Sequence, residues 1–228
     1  PSYLLVKELL EFQDILKEKH ITISEIEITN LRKIGIAPQL PDLSKLNTSD
    51  QKKNVVILYL ESFNSNYTKR GGSNFENLTP NIDSLIENSV FFPNYFNAVT
   101  PTHNSMFSSW CGIFPELHDN YVRENPDYTK GLTCFSDILS NLGYSQFFYF
   151  GWGAWYGGVT LFLENHNYDR VAELSDIERE YPELEKVKHQ WGINDTDLSR
   201  YVNAQVEQLI KQQPFNMGIF FINTHPPY

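Results

Sequence analysis

Two apolar runs that stop abruptly at polar residues constrain this chain more than any other feature. Asn54-Val55-Val56-Ile57-Leu58-Tyr59-Leu60 ends in Glu61, and Met217 to Ile222 ends in Asn223-Thr224-His225. Nearly continuous apolar runs rich in β-branched and aromatic residues, unlike alternating ones, belong to parallel strands covered on both faces. A third such run, Ser145 to Phe150, leads into a Gly/Trp/Tyr-rich loop over 151–158. Helical patterns separate the runs, as parallel connections require, so the expected class is α/β with a mostly parallel central sheet flanked by helices. The strands 54–60, 145–150 and 217–222 are expected to be neighbours or near-neighbours, with their polar ends at the sheet edge where such folds bind ligands.

Helix signals fill the intervals. Thr79-Pro80-Asn81-Ile82-Asp83 combines an N-cap residue, Pro at the first helical position and an early acid, predicting a helix near 80–88. Further helices are expected near 104–111, from Phe135 to Leu142 before Gly143, and over about 195–212. The last shows Leu198, Val202, Val206, Leu209 and Ile210 on one side and is closed by Pro214. Phe91, Phe92, Tyr95 and Phe96 suggest a short strand. Residues 3–19 carry an amphipathic helical period, residues 22–34 a weaker one, and 36–53 a Pro/Ser/Asn/Asp/Lys linker. The expected division is therefore an N-terminal helical segment and linker over 1–52 and a catalytic-type domain over 53–228.

Length and charge narrow the function. At 228 residues the chain has room for one sizeable core and not for two full catalytic domains. A formal charge of −10, without a dense Lys/Arg cluster, argues against a nucleic-acid surface. The two cysteines, Cys111 and Cys134, are too few for a disulfide framework and read as buried thiols in preference to a disulfide. No run approaches the roughly 20 apolar residues of a membrane span. The chain starts Pro-Ser-Tyr without an initiator Met, so any membrane attachment is expected through a segment not in this chain.

The chemistry gathers at Glu61 and at Thr100-Pro101-Thr102-His103-Asn104-Ser105. A hydroxyl lying just ahead of a helix can face a ligand while the free N–H groups of the first turn face an anion. A carboxylate at a parallel strand end beside it suggests phosphoryl or sulfuryl chemistry. Thr102 can equally be an ordinary cap, and Glu61 a solvated acid.

At these residues the chain resembles the alkaline phosphatase/sulfatase superfamily, within it the branch of lipoteichoic acid synthase and the phosphoethanolamine transferases. The resemblance runs through Leu60-Glu61-Ser62-Phe63, Thr79-Pro80-Asn81, the Thr102 segment closing at Gly112-Ile113-Phe114-Pro115, Trp191-Gly192-Ile193-Asn194-Asp195, and Phe220-Phe221-Ile222-Asn223-Thr224-His225-Pro226. It implies an alkaline phosphatase-like fold, with this chain as its N-terminal portion. It implies Glu61 as a metal ligand and Thr102 as both metal ligand and nucleophile, with Thr100 and Ser105 as rivals whose spacing from Gly112 fits worse. Ten residues before the closing glycine, sulfatases carry the Cys or Ser that becomes formylglycine. Threonine cannot become that aldehyde, which favours phosphoryl transfer over sulfate-ester hydrolysis.

The resemblance also implies a divalent cation, Mn²⁺ or alternatively Zn²⁺, Mg²⁺ or Ca²⁺, with an Asp-His pair of further ligands beyond the strand that ends at His225. His225 is implied to contact the substrate phosphate, and His103 either touches substrate or lies at the surface. Trp152 or Trp155 either lines the pocket or packs in the core, and the loop lacks the Arg that accompanies glycerol phosphate in the family. The implied activity is a metal-dependent phosphotransferase or phosphodiesterase acting on a phosphorylated or sulfated, possibly lipid-linked, cell-envelope head group outside the cytoplasm. A hydrolase of the same superfamily and a non-catalytic envelope binding module are the alternatives.

Overall fold

The computed structural model describes residues 52–93, 95–97, 99–112, 131–154, 156–187, 190–209, 211 and 214–226. The helices expected over 3–19 and 22–34, the linker, and Trp155 lie outside them. Within the described residues four parallel strands form one sheet in the order β1-β4-β2-β3, where β1 is Val55–Leu60, β2 Ser145–Phe150, β3 Arg170–Ala172 and β4 Phe215–Phe221. Among the described residues six α-helices are interspersed: α1 Pro80–Glu87, α2 Thr102–Cys111, α3 Phe135–Asn141, α4 Val159–Asn165, α5 Leu174–Glu180 and α6 Asp195–Leu209. The fold is the expected α/β class, with β4 between β1 and β2.

The central strands explain the apolar runs. Phe148 and Phe150 of β2 face one layer, with Met106, Phe107 and Trp110 of α2 and Phe162 and Leu163 of α4. Phe147 and Tyr149 face the other layer, with Ile177 of α5 and Leu198, Tyr201, Val202 and Leu209 of α6. Aromatic rings dominate the first layer, where Trp110 stacks on Phe162 and meets Phe148 edge-on. Gly218 in β4 is part of that fit, because a Cβ there would lie 2.2 Å from Cε2 of Phe148.

Four expectations need correction. The strand β1 is not buried on both faces: Val56, Leu58 and Leu60 are 50%, 52% and 39% exposed. Helix α6 packs against β2 and β4, and β1 lies at the edge of the described sheet. Phe92, Tyr95 and Phe96 form no strand and are exposed, since their aromatic run pairs with no neighbour in the sheet. Helix α2 begins at Thr102 rather than near 104, with Pro101 as its cap residue and Ser105 N–H already bonded to Pro101 O. Finally, Cys111 and Cys134 are not thiols but a disulfide, S–S 2.00 Å, joining the last residue of α2 to the N-cap of α3. Spacing alone did not pair them; the packing of α2 beside α3 does.

The N-terminal ends of the strands carry a buried polar network. Asn216 Nδ2 donates to Gln146 Oε1 at 3.0 Å, and Gln146 Nε2 donates to the carbonyls of Ser136 and Asn167. The amide nitrogens and Gln146 Oε1 find partners in protein rather than solvent, as burial demands, while Asn216 Oδ1 has none among the described residues. The opposite, C-terminal end of the sheet opens into a cavity reached by Glu61, Thr102 and His225.

Candidate active site

Glu61 immediately follows β1, and its N–H continues the ladder by donating to Phe221 O at 3.0 Å. The next residue, Ser62, turns the chain with φ 52 and donates its hydroxyl to Glu61 Oε1 at 3.1 Å. The other carboxylate oxygen, Oε2, accepts a 2.9 Å hydrogen bond from the Thr102 hydroxyl. Strand end and helix start thus meet through two side chains 41 positions apart.

The end of β4 completes the rim. Thr224 donates its hydroxyl to the Glu61 carbonyl. Asp195, the first residue of α6, accepts from Ile222 N–H at 2.8 Å and from Asn223 N–H at 3.2 Å, while its own N–H donates to Asn223 Oδ1 at 3.1 Å. This reciprocal clamp fixes the turn that presents His225. The His225 ring pairs Nδ1 with the Pro226 carbonyl at 2.6 Å, so Nδ1 carries the hydrogen and Nε2 is left for other partners. Trp191 lies against the same ring, with centroids 4.2 Å apart.

These groups line one cavity of about 540 Å³, bounded by Glu61, Pro101, Thr102, His103, Trp152, Gly153, Leu174, Trp191, Ile222 and His225. Five of the six residues singled out in the sequence therefore share one cavity, the sixth being the undescribed Trp155. His103 is buried rather than at the surface, because Gly157 lies over it. A Cβ at Gly157 would come within 2.7 Å of the His103 Cγ. Trp152 is at once wall and core: it meets Phe150 and Phe220 edge-on and also faces the cavity.

Trp191, Leu174 and Asp195 escaped the sequence argument as site residues. A usable signal lay in Trp191-Gly192. Gly192 has φ 156, and a Cβ there would sit 1.9 Å from Gly151 O, so only glycine lets this segment close onto the end of β2. Ile193 N–H then bonds Gly151 O at 2.9 Å, which brings Trp191 to the cavity mouth.

The donor set fits a hard divalent cation. Two oxygens 2.9 Å apart have the separation of adjacent ligands around an ion whose metal–oxygen bonds are about 2.0–2.2 Å. Carboxylate and hydroxyl suit Mg²⁺, Mn²⁺, Ca²⁺ or Zn²⁺, and two such ligands alone hold any of them weakly.

Comparison with known proteins places these residues in context. The family model described as Sulfatase matches residues 53–228. The chain is 25% identical over 181 residues to phosphoglycerol transferase I of Salmonella arizonae, covering 77% of this chain and 23% of that protein. It is 25% identical over 183 residues to the enzyme of the same name from Escherichia coli O127:H6, covering 78% and 24%. The chain thus spans about a quarter of the length of these relatives. A protein of the alkaline phosphatase superfamily from Vibrio parahaemolyticus superposes with TM-score 0.64 at 24% identity, over 78% of this chain and 42% of that one. The lipoteichoic acid synthase LtaP from Listeria monocytogenes gives 0.63 at 20%, over 77% and 41%.

Proposed function

The chain belongs to the sulfatase family, and from that premise we propose that it carries the nucleophile side of a phosphoester-transferring site. Thr102 is the nucleophile, Glu61 and Thr102 hold a divalent cation, and His225 contacts the substrate phosphate. The 2.9 Å contact between Thr102 Oγ1 and Glu61 Oε2 inside a cavity shared with His225 supports this reading most directly.

A threonine hydroxyl is a weak nucleophile until its proton is drawn away. The hydrogen bond aims the Thr102 proton at Glu61 and leaves an oxygen lone pair free for an incoming phosphorus. A bound cation would lower the hydroxyl pKa and neutralise phosphate oxygens. His225, with Nδ1 committed to Pro226, offers Nε2 to a phosphate oxygen or to the departing group. His103, Trp152 and Trp191 shape the cavity, whose aromatic walls exclude water and pack against the substituent on the phosphate.

The relatives named phosphoglycerol transferase favour a phosphorylated substrate, and the family resemblance of the sequence motifs puts that substrate in the cell envelope, with the domain outside the cytoplasm and membrane attachment through a segment not in this chain. A threonine at the nucleophile position points the same way, away from sulfate esters. Manganese is the first choice of cation for this hard donor pair.

The experiment is a comparison of products. A polypeptide extended past Tyr228 to include the Asp-His pair is incubated with Mn²⁺ and a chromogenic phosphodiester, with and without an alcohol acceptor, and with the matching sulfate ester. Metal-dependent release from the phosphodiester, partitioning to the alcohol, is the expected result. Preference for the sulfate ester, or activity unaffected by EDTA, would overturn the reading.

A further inference from the structure

His166 entered none of the sequence arguments, yet it is buried at the C-terminus of α4 beside the disulfide. Its Nδ1 lies 2.8 Å from Asp137 Oδ2, and its Nε2 lies 3.9 Å from Cys134 Sγ. The same Asp137 oxygen accepts the Cys134 N–H at 2.8 Å. The carboxylate thereby fixes both the imidazole and the cysteine it faces. Donor atoms of Cys134, Asp137 and His166 all lie within 4.8 Å of one another, as in a metal site. With Cys134 in the disulfide, however, its sulfur is no thiolate ligand.

The two sulfurs differ in surroundings. Cys134 is fully buried, at 0% exposure, so no external group reaches its sulfur along the S–S axis. Cys111, at the C-terminus of α2, is only partly buried. Thiol–disulfide exchange is an in-line displacement governed by access to the attacked sulfur and by how well the other sulfur leaves. Access selects Cys111 for attack. The Asp137–His166 pair, aimed at Cys134, selects Cys134 for departure.

We propose that Cys111 is a thiolation site at which a small external thiol forms a mixed disulfide, with Cys134 leaving into the care of His166. The incoming thiolate forms a bond to Cys111 Sγ as the Cys111–Cys134 bond breaks, and the electron pair goes to Cys134 Sγ. The Asp137 carboxylate holds His166 at Nδ1, which turns Nε2 toward the departing sulfur as its hydrogen-bond partner. One thiol is consumed and one is formed, and one S–S bond replaces another.

The test uses the oxidised chain and 2-mercaptoethanol as the probe. Aliquots are quenched in acid at intervals, free thiols are alkylated, and the peptides bearing Cys111 and Cys134 are weighed. The mercaptoethanol adduct is expected on Cys111, with the alkyl group on Cys134. His166→Gln is expected to slow opening by roughly three- to tenfold, as a poorer leaving sulfur should, while the adduct stays on Cys111 and the thermal midpoint of the oxidised protein sets aside any loss of folding. An adduct on Cys134, or one divided equally, overturns the proposal, and so does an opening rate unchanged in a folded His166→Gln protein. Should that variant fail to fold, the position of the adduct in the wild-type chain decides alone.

Discussion

Thr102 and Glu61 form a hydrogen bond of 2.9 Å from the first residue of a helix to the residue that follows β1, at the edge of the described sheet. The strand delivers the carboxylate through the ladder bond from Glu61 N–H to Phe221 O, and the helix delivers the hydroxyl through a packed face that buries Met106, Phe107 and Trp110.

The clamp at Asp195 should matter more to stability than a surface acid would. Asp195→Ala leaves the N–H groups of Ile222 and Asn223 without the acceptor they use now, which costs about 1–3 kcal/mol where such groups are partly buried. Asp195→Asn, which keeps one acceptor oxygen, should lose less. Urea unfolding of the three proteins checks this, and an Ala variant as stable as wild type would show that the turn needs no clamp.

Gly157→Ala should disturb the site through His103. Its φ is 72, and the added Cβ would meet the His103 Cγ at 2.7 Å. The left-handed backbone alone costs a non-glycine residue roughly 1–2 kcal/mol. The expected outcome is a modest loss of stability with a larger loss of activity, and a changed NMR environment for the His103 ring. An unchanged His103 signal would contradict the packing described here.

Alkaline pH should unfold the protein through its buried phenols. Burial pushes Tyr59 and Tyr149 up from 10.0 to about 12, and burial raises Tyr168 and Tyr201 as well. An unfolded chain ionises these groups near pH 10 while the folded one keeps them neutral. Their contribution is therefore complete below about pH 10 and is lost as pH rises from there through about 12. Denaturant midpoints should be level from about pH 8 to 9.5 and then fall. A midpoint that stays level to about pH 11.5 would contradict burial of these rings.

The sequence made the fold legible where hydrophobic period and length were both strong. The strands β1, β2 and β4 and the helices α1, α3 and α6 lie within a few residues of their expected positions. The three-residue strand Arg170–Ala172 was too short to show a period, and α4 and α5, as short as α3, lacked the closing glycine that marked it. The aromatic run at 91–96 had strand composition without a strand to pair with. Partnership is what decides a sheet, and composition cannot supply it.

The cavity was legible at residues whose position follows from an element's end: Glu61, Thr102 and His225. Trp191 was not, because it arrives through the close approach of Gly192 to Gly151, a contact between two loops. The disulfide was hidden for the same reason, since 23 residues of separation say nothing about proximity. His166 could not be read from the sequence because its partner Asp137 is 29 positions away and the pair forms only once α3 packs on β2 and α4 on β3.

The proposed reaction requires Thr102 Oγ1 to accept the phosphoryl group, and trapping that group tests it most directly. A chain extended past Tyr228 is mixed with Mn²⁺ and a phosphodiester, quenched in acid, digested, and the peptide containing Thr102 is weighed and fragmented. The expected result is a phosphoryl adduct on Thr102 that is absent from Thr102→Ala and strongly reduced in Glu61→Gln, with turnover lost in parallel. An adduct on Thr100, Ser105 or any other residue, or full turnover in a folded Thr102→Ala protein, would contradict it.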